Sequence, residues 1–214
     1  GLGAHIPFLQ DRMLSLAKPT AMKMVKLVGE SLRELAPSPA EAASWRNQLG
    51  SHHSDIARSY APYLIELEGE DIQAYLKAFR PFAADHHFGV REIAWMAARP
   101  TISLHLEKAI KALVSWTQDE DENVRRFATE ATRPRGVWCK HIDALKEQPE
   151  SALALLEPLK ADPAKYVQDS LGNWLNDAAK TQPDFVMQLT EKWLNESDNK
   201  ITQRIVKKAR RSLK

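Results

Sequence analysis

The chain has 214 residues, of which 43% are apolar and 8 are glycine, and its formal net charge is +2. The apolar share is large enough for a substantial core. The scarcity of glycine and the absence of G-x-x-x-x-G-K-S/T, G-x-G-x-x-G and G-x-S-x-G argue against P-loop, dinucleotide-binding and α/β-hydrolase enzymes. The single cysteine, Cys139, cannot form an internal disulfide, and no apolar run has membrane-spanning length, so we expect a cytoplasmic protein without a membrane segment.

The first half of the chain is predicted to be helical without a visible repeat. Apolar residues recur at helical spacing in five segments, and breaks fall at Pro37, Gly50 and Gly69. No alternating pattern typical of strands competes with this interpretation. We expect helices at 8–17, 20–35, 39–49, 55–68 and 71–84.

The second half contains an internal repeat. The segments VREIAWMAARP at 90–100 and VRRFATEATRP at 124–134 are identical at six of eleven positions, at an offset of 34 residues. Diverged copies begin at Val167 and Ile201, and an amphipathic stretch and a polar turn precede these later copies. A helix–turn–helix unit that repeats every 34 to 43 residues is typical of HEAT-like α-solenoids. We expect the prolines at the ends of the first two copies, Pro100 and Pro134, to end their helices.

The repeats predict an all-α fold built from stacked antiparallel helix pairs. We interpret 1–214 as a single HEAT-like repeat domain, with diverged helices in 1–85 and clear repeats in 86–214. In the second helix of each unit, the apolar residues form a stripe that should face the core. The two clearest stripes comprise Val124, Phe127, Ala128 and Ala131, and Val167, Leu171, Trp174 and Ala178.

A polar stripe lies opposite the apolar one in the best repeat. It consists of Arg126, Glu130 and Arg133, and we expect it to be displayed on the concave surface, where solenoids bind partners. Guanidinium groups grip phosphates bidentately, so this face favours a nucleic acid. Two alternatives remain open: Arg126 and Glu130 are an ordinary surface pair, and Arg91 and Arg125 are structural arginines that join the repeats. A protein-binding scaffold would use the same architecture.

The segment VRRFATEATRPRGVW at 124–138 resembles the V-R-R-x-x-x-E-x-x-R-P-R-x-x-W segment of HEAT-like-repeat DNA alkylation repair proteins, the AlkC/AlkD superfamily. The segment YVQDSLGNWLNDAAK at 166–180 resembles their next repeat. This resemblance implies a monofunctional DNA glycosylase that excises cationic alkylated bases, such as N3- or N7-alkylpurines, by hydrolysing the N-glycosidic bond. We expect a monomer that binds alkylated double-stranded DNA and needs neither a cofactor nor a metal.

The resemblance also assigns roles to individual residues. Glu130 matches the family's carboxylate, which would stabilise positive charge on the sugar, and Glu92 is the reserve candidate for this catalytic role. Trp138 matches the family's aromatic residue, and Phe88 and Trp95 are further candidates for contact with the lesion. The residues expected to contact DNA are Arg126, Arg133, Arg135, Arg91, Arg125, Arg99, Lys140, Asn173, Asp177 and His87.

In the repeat before the segment 124–138, the chain departs from the family pattern. The region DHHFGVRE at 85–92 lacks the Trp-x-x-x-Asp pair of one branch, and its nearest aromatic–carboxylate pair is Phe88 and Glu92. His87 stands where the other branch has a glutamate. The alternative functions are therefore a non-catalytic protein that binds DNA or damaged DNA, and a protein–protein scaffold. For Glu130, the alternative role is to organise Arg126 and Arg133 through salt bridges.

Overall fold

The structure is a computed structural model that describes residues 2–213. About three quarters of these residues are helical and none of them forms a strand, which confirms the all-α prediction. No helix in this range is long and apolar enough to cross a membrane.

The α-helices of the described range are α1 (Ile6–Leu14), α2 (Ala21–Leu35), α3 (Pro39–Gly50), α4 (Asp55–Tyr60), α5 (Ile72–Ala83), α6 (Phe88–Leu104), α7 (Leu106–Leu113), α8 (Glu122–Thr132), α9 (Asp143–Glu147), α10 (Leu153–Leu156), α11 (Lys165–Ala179), α12 (Pro183–Glu196) and α13 (Lys200–Ala209). Short 3₁₀ segments lie at Leu2–His5, Ala61–Leu64, Val114–Gln118, Pro149–Ala152 and Glu157–Leu159.

The helices form the two layers that the repeat predicts. The second helices of successive units, α4, α6, α8, α11 and α13, pack side by side in chain order. In the other layer α5 packs on α7, and α7 packs on α10. Within units, α5 packs on α6 and α12 packs on α13. This stacking is the HEAT-like solenoid arrangement, in which each unit contacts only its neighbours.

The core is continuous along the stack and contains both predicted apolar stripes. All eight stripe residues are buried, and Val124 and Trp174 are fully buried. Phe127 joins two units, because its ring centroid lies 6.3 Å from that of Phe79 in the preceding unit and 5.1 Å from that of Trp116 in its own unit. Burial of each large side chain contributes about 1.5–3 kcal/mol, so the stripes hold successive units together.

Arginines at the starts of the second helices join one unit to the next. Arg58 pairs with Asp85 at 2.7 Å, and Arg125 pairs with Asp162 at 2.6 Å. Each arginine also donates from Nη1 to two carbonyl oxygens of the turn before its own helix. Arg91 makes the same two backbone contacts. All three guanidinium nitrogens of Arg125 have partners within the fold, so Arg125 has the structural role and its assignment to DNA contacts is not supported. Arg91 holds the turn before its helix through Nη1, but its buried Nε has no partner, and its contact with DNA stays a prediction.

One of the two predicted helix ends is wrong. Helix α8 ends at Thr132, because Arg133 adopts an extended ψ of 132° before Pro134. Pro100, in contrast, lies inside α6, which continues to Leu104. A proline removes only one backbone donor, and the remaining turn of α6 is held by its own hydrogen bonds, including the bond from the His105 N–H to the Thr101 carbonyl at 3.0 Å.

In the first half, the predicted helices occur with shifted bounds. The segment expected at 55–68 is α-helical only to Tyr60 and continues as the 3₁₀ segment Ala61–Leu64. Pro62 explains the change, since it cannot donate the hydrogen bond that an α-helix needs there. The segment expected at 8–17 is helical at Ile6–Leu14.

Candidate functional site

The polar stripe of α8 is not displayed to solvent as expected. Glu130 is 3% exposed and Arg133 is 9% exposed. The reason is that second helices pack against one another, so both flanks of α8 are covered by α6 and α11. Ser170 of α11 donates a hydrogen bond to Oε1 of Glu130 at 2.9 Å. The sequence correctly predicted that the polar stripe lies opposite the apolar one, but it did not predict that α6 and α11 cover this stripe.

These residues form a buried ionic network of Glu92, Arg126, Glu130, Arg133 and Asp177. Arg133 lies 3.2 Å from Glu130 and 2.8 Å from Asp177, and Arg126 lies 2.7 Å from Glu92 and 3.6 Å from Glu130. The network thus crosses α6, α8 and α11. Burial opposes the charge on Arg133, but the carboxylates of Glu130 and Asp177 outweigh burial and raise its pKa. Arg133 therefore stays charged and holds two carboxylates at a fixed position.

An aromatic side chain that the sequence analysis did not single out supports this network. The Arg126 guanidinium lies 4.1 Å from the ring centroid of Tyr166, and the Arg91 guanidinium lies 5.4 Å from the same centroid. Tyr166 is the second residue of α11, so it reaches α6 and α8 from the next unit. Cation–π contact of this kind fixes the arginines and reduces the exposure of their charge.

Trp95 does not lie at a surface where it could contact a lesion. It is 2% exposed, and its indole N–H donates to Glu92 at 3.1 Å. This corrects its assignment as a lesion contact, because its place in the second-helix layer buries it. The aromatic partner of Glu92 is therefore Trp95, whereas Phe88 is 63% exposed at the start of α6.

Arg99 is also buried, and its guanidinium is bonded within the fold. Its guanidinium donates to the carbonyl oxygens of Ala131 at 3.0 Å and Lys140 at 3.1 Å, and also to that of Arg133. Burial lowers its pKa. Arg99 is thus a structural residue that attaches the end of α8 and the following loop to α6, which corrects its assignment to DNA contacts.

The loop that follows α8, residues 133–142, is held in a defined shape. The Ile142 N–H donates to the Pro134 carbonyl at 3.0 Å and so closes the loop. A Cβ atom at Gly136 would lie 2.2 Å from the sulfur of Cys139 and 2.9 Å from Cζ of Arg99. Glycine is therefore required where the loop passes over Arg99.

Trp138 projects from this loop into solvent. It is 80% exposed and has a φ of 58°, the one positive φ at a non-glycine residue in the described range. That backbone conformation costs about 1–3 kcal/mol for a bulky residue, and it persists only where the surroundings enforce it. An exposed indole held in this way is suited to contact a partner rather than the core.

The remaining predicted contact residues differ in their accessibility. Arg135 is half-buried and donates to the Asp177 carbonyl at 3.3 Å, while Lys140 is exposed and has no carboxylate within 4 Å among the described residues. Asn173 accepts a hydrogen bond from Arg211 at 2.8 Å. His87 is half-exposed, with Nδ1 3.4 Å from Asp55. Arg135, Trp138 and Lys140 therefore form the accessible part of the site.

Histidines do not assemble with acids into a metal site within residues 2–213. No group of three or more His, Cys, Asp or Glu side chains in that range has the arrangement that could hold a metal ion. The adjacent rings of His52 and His53 stack, with centroids 4.2 Å apart.

The comparisons with known proteins agree with this fold. The family described as "DNA alkylation repair enzyme" matches residues 69–213. AlkD2 from Streptococcus mutans has the same fold, with a TM-score of 0.76, 21% identity and coverage of 99% of both chains. The chain belongs to the DNA alkylation repair enzyme family.

Two relatives are more similar in sequence. The alkylpurine DNA glycosylase AlkC of Pseudomonas fluorescens, solved bound to DNA containing an abasic site analog, is 26% identical, with a TM-score of 0.68 over 90% of this chain and 52% of that one. The uncharacterized protein YhaZ of Bacillus subtilis is 32% identical over 200 residues, which are 91% of this chain and 53% of that protein. The chain therefore spans about half the length of these two relatives.

Proposed function

We propose that this protein binds alkylated double-stranded DNA and acts as a monofunctional DNA glycosylase on cationic alkylated bases such as N3- or N7-alkylpurines. The observation that carries the proposal is the pair of carboxylates, Glu130 and Asp177, that Arg133 holds beside the loop of Trp138. The similarity to AlkC, an alkylpurine DNA glycosylase bound to DNA, supports the same activity. We expect the protein to act as a cytoplasmic monomer without a cofactor or metal.

The chemistry of such a base requires little from the enzyme. A cationic alkylated purine is a good leaving group, so the enzyme has only to stabilise the positive charge that develops on the deoxyribose and to position a water molecule. Preorganised carboxylates do the first, and they are most effective where water is excluded. Glu130 meets this requirement, because it is 3% exposed and its orientation is fixed by Arg133 and Ser170.

The network places carboxylates where they could face a cationic substrate. Three carboxylates share the two guanidinium groups of Arg126 and Arg133, and Lys180, 3.5 Å from Asp177, balances the third carboxylate. A carboxylate repels phosphates but attracts a positively charged sugar or base. Arg126 and Arg133 then serve as positioning residues for the carboxylates.

The accessible residues supply the contacts to DNA. Lys140 and Arg135 would bind phosphates, which gives affinity without sequence preference. Trp138 would pack against the alkylated base, whose positive charge favours an aromatic face. Phe88, which is exposed at the start of α6, is a second aromatic candidate.

The experiment that tests this function is release of alkylated bases from methylated duplex DNA. We expect the wild type to release 7-methylguanine or 3-methyladenine, and Glu130→Gln to lower release by about a hundredfold or more. Asp169→Asn is the matched control, since Asp169 also pairs with two cations, Arg204 and Lys208, but lies outside the network. Release that survives both Glu130→Gln and Glu92→Gln would show that the chemistry lies elsewhere.

A second candidate function is non-catalytic binding of damaged DNA. The observation that favours it is that both oxygens of Glu130 already have partners, which suits a residue that only organises the arginines. In that case the wild type would bind methylated DNA without releasing a base. Glu130→Gln would then weaken DNA binding, instead of leaving it unchanged as the glycosylase proposal requires.

A further inference from the structure

A cleft of about 990 Å³ lies next to the loop of Trp138 and is outside the buried ionic network. One wall is α2, and the opposite wall consists of the C-terminal half of α6 and residues 138–141. Its volume is at the upper end of the roughly 300–1,000 Å³ that is common for ligand sites. Helix α2 precedes residue 69, so this wall is outside the segment that matches the family.

The charges that line the cleft favour an anionic ligand. Its two carboxylates are both paired, since Lys26 lies 3.8 Å from Glu30 and Arg33 lies 3.1 Å from Glu66. Lys23 on α2 lines the cleft without a carboxylate within 4 Å among residues 2–213. Lys140 lines it from the other wall, also without such a partner in that range. Two uncompensated ammonium groups thus flank one cleft.

Aromatic and thioether side chains line the same cleft. They are Trp138, Tyr63, Tyr75 and Met96. Trp138 is 80% exposed and offers a free indole face, whereas Tyr75 is buried. Tyr63 is fixed by close packing on α2, because a Cβ atom at Gly29 would lie 2.6 Å from the Cβ of Tyr63. Cations together with an accessible aromatic face are typical of proteins that bind strands with unpaired bases, since phosphates contact the cations and bases stack on the rings.

We propose that this cleft binds an unpaired segment of a DNA strand, with a base stacked on Trp138 and phosphates at Lys23 and Lys140. An intact duplex offers phosphates to the lysines, but its stacked bases present no free face to an indole. The inference rests on the proposed function only in taking DNA as the ligand. It assigns to α2 a role in holding DNA that is opened beside a lesion.

The test compares two fluorescein-labelled DNAs in anisotropy titrations: an intact duplex and the same duplex with a short internal gap of unpaired thymines. We expect the wild type to bind the gapped DNA about tenfold more tightly, because stacking of one base on an aromatic side chain changes affinity about 5- to 150-fold. Trp138→Ala should remove most of this preference. Lys23→Ala should weaken binding of the gapped DNA by about threefold or more and reduce its salt dependence by about 0.7 in log–log slope.

Lys77→Ala is the matched control, because Lys77 is exposed on α5, does not line the cleft and has no carboxylate within 4 Å among the described residues. This variant should bind both DNAs as the wild type does. Equal affinity of the wild type for the two DNAs, no binding to the gapped DNA, or equal behaviour of Lys23→Ala and Lys77→Ala would overturn the proposal. Base release from intact methylated duplex is measured separately, so the glycosylase function can fail while the gap preference stands, and the reverse.

Discussion

The segment 124–140 divides into two parts that the fold places in opposite environments. In α8 and at its C-terminal cap, Arg126, Glu130 and Arg133 are turned into a buried ionic network between three helices. In the loop part, Trp138 and Lys140 are exposed. The same stretch of sequence therefore supplies both a charge assembly shielded from water and a contact surface. Under the proposed function, chemistry and DNA contact are separate tasks, each assigned to one part.

The largest expected effect is a difference in stability between the alanine variants of Arg133 and Arg135, which are two residues apart. Arg133→Ala leaves Glu130 and Asp177 buried without their shared cation, so we expect a loss of about 3–5 kcal/mol in the free energy of unfolding. Arg135→Ala should change stability by less than about 0.5 kcal/mol, because the side chain is half-buried and has no carboxylate partner in the described range. Urea denaturation of both variants measures the difference.

The same two variants should behave differently towards DNA. Arg135→Ala should lower the log–log salt dependence of duplex binding by about one unit, since one phosphate contact is lost. Equal loss of stability in both variants, or an unchanged salt dependence for Arg135→Ala, would show that the two parts of the segment are not separated as described.

A smaller loss of stability is expected at Gly136, where the two parts of the segment meet. Gly136→Ala places a methyl group 2.9 Å from Cζ of Arg99, and overpacking of this kind costs about 1–3 kcal/mol. Because Arg99 holds the loop, iodide quenching of Trp138 fluorescence should also change. Gly3→Ala is the control, since a Cβ atom at Gly3 has no neighbour within 4 Å. A Gly136→Ala protein as stable as the wild type would argue against the close approach.

The ion pairs between repeats predict a pH dependence of the free energy of unfolding. Burial acts to raise the pKa of Asp85, but hydrogen bonds from Arg58 and from the backbone N–H of His87 outweigh it, so the pKa is lowered. Asp85 therefore contributes stability above its unfolded pKa of about 4, and this stability is lost as the pH falls through the lower folded value. Denaturation between about pH 3 and 6 should show a flatter profile for Asp85→Asn. Parallel profiles for the two proteins would contradict this assignment.

Only a small effect on stability is expected at Trp138 itself. Trp138→Gly relieves the positive φ but increases the entropy of the unfolded chain, so the free energy of unfolding should change by no more than about 1 kcal/mol. DNA affinity should nevertheless fall. A variant that loses stability and keeps its affinity would place Trp138 in the structural part instead of the contact surface.

Helical periodicity was sufficient to predict the fold and the apolar stripes. Val124 and Val167 are buried where the stripes place them, because each faces its own first helix. The site could be predicted only in part. Glu130 and Arg133 are buried by α6 and α11, which are distant in sequence, and no pattern within α8 reports that contact.

For Arg99 and for the ion pairs between repeats, the sequence contains a pattern that indicates the contact only in part. Arg99 occupies the position of Arg133 one repeat earlier, yet only the fold shows that it binds the carbonyl oxygens of the next unit's loop. Asp85 pairs with Arg58, and Asp162 pairs with Arg125; in each pair the aspartate belongs to the unit after that of the arginine. The recurrence of these aspartates along the chain is the signal that could have identified the inter-repeat pairs.

The proposed function assigns the chemistry to the buried network and DNA binding to the exposed loop. Single-turnover base release from methylated duplex separates the two, because the maximal rate and the DNA affinity are obtained from the same titration. We expect Glu130→Gln to lower the maximal rate by about a hundredfold and to leave the affinity unchanged, whereas Lys140→Ala should weaken the affinity and leave the maximal rate unchanged. Loss of affinity without loss of rate in Glu130→Gln would overturn this assignment.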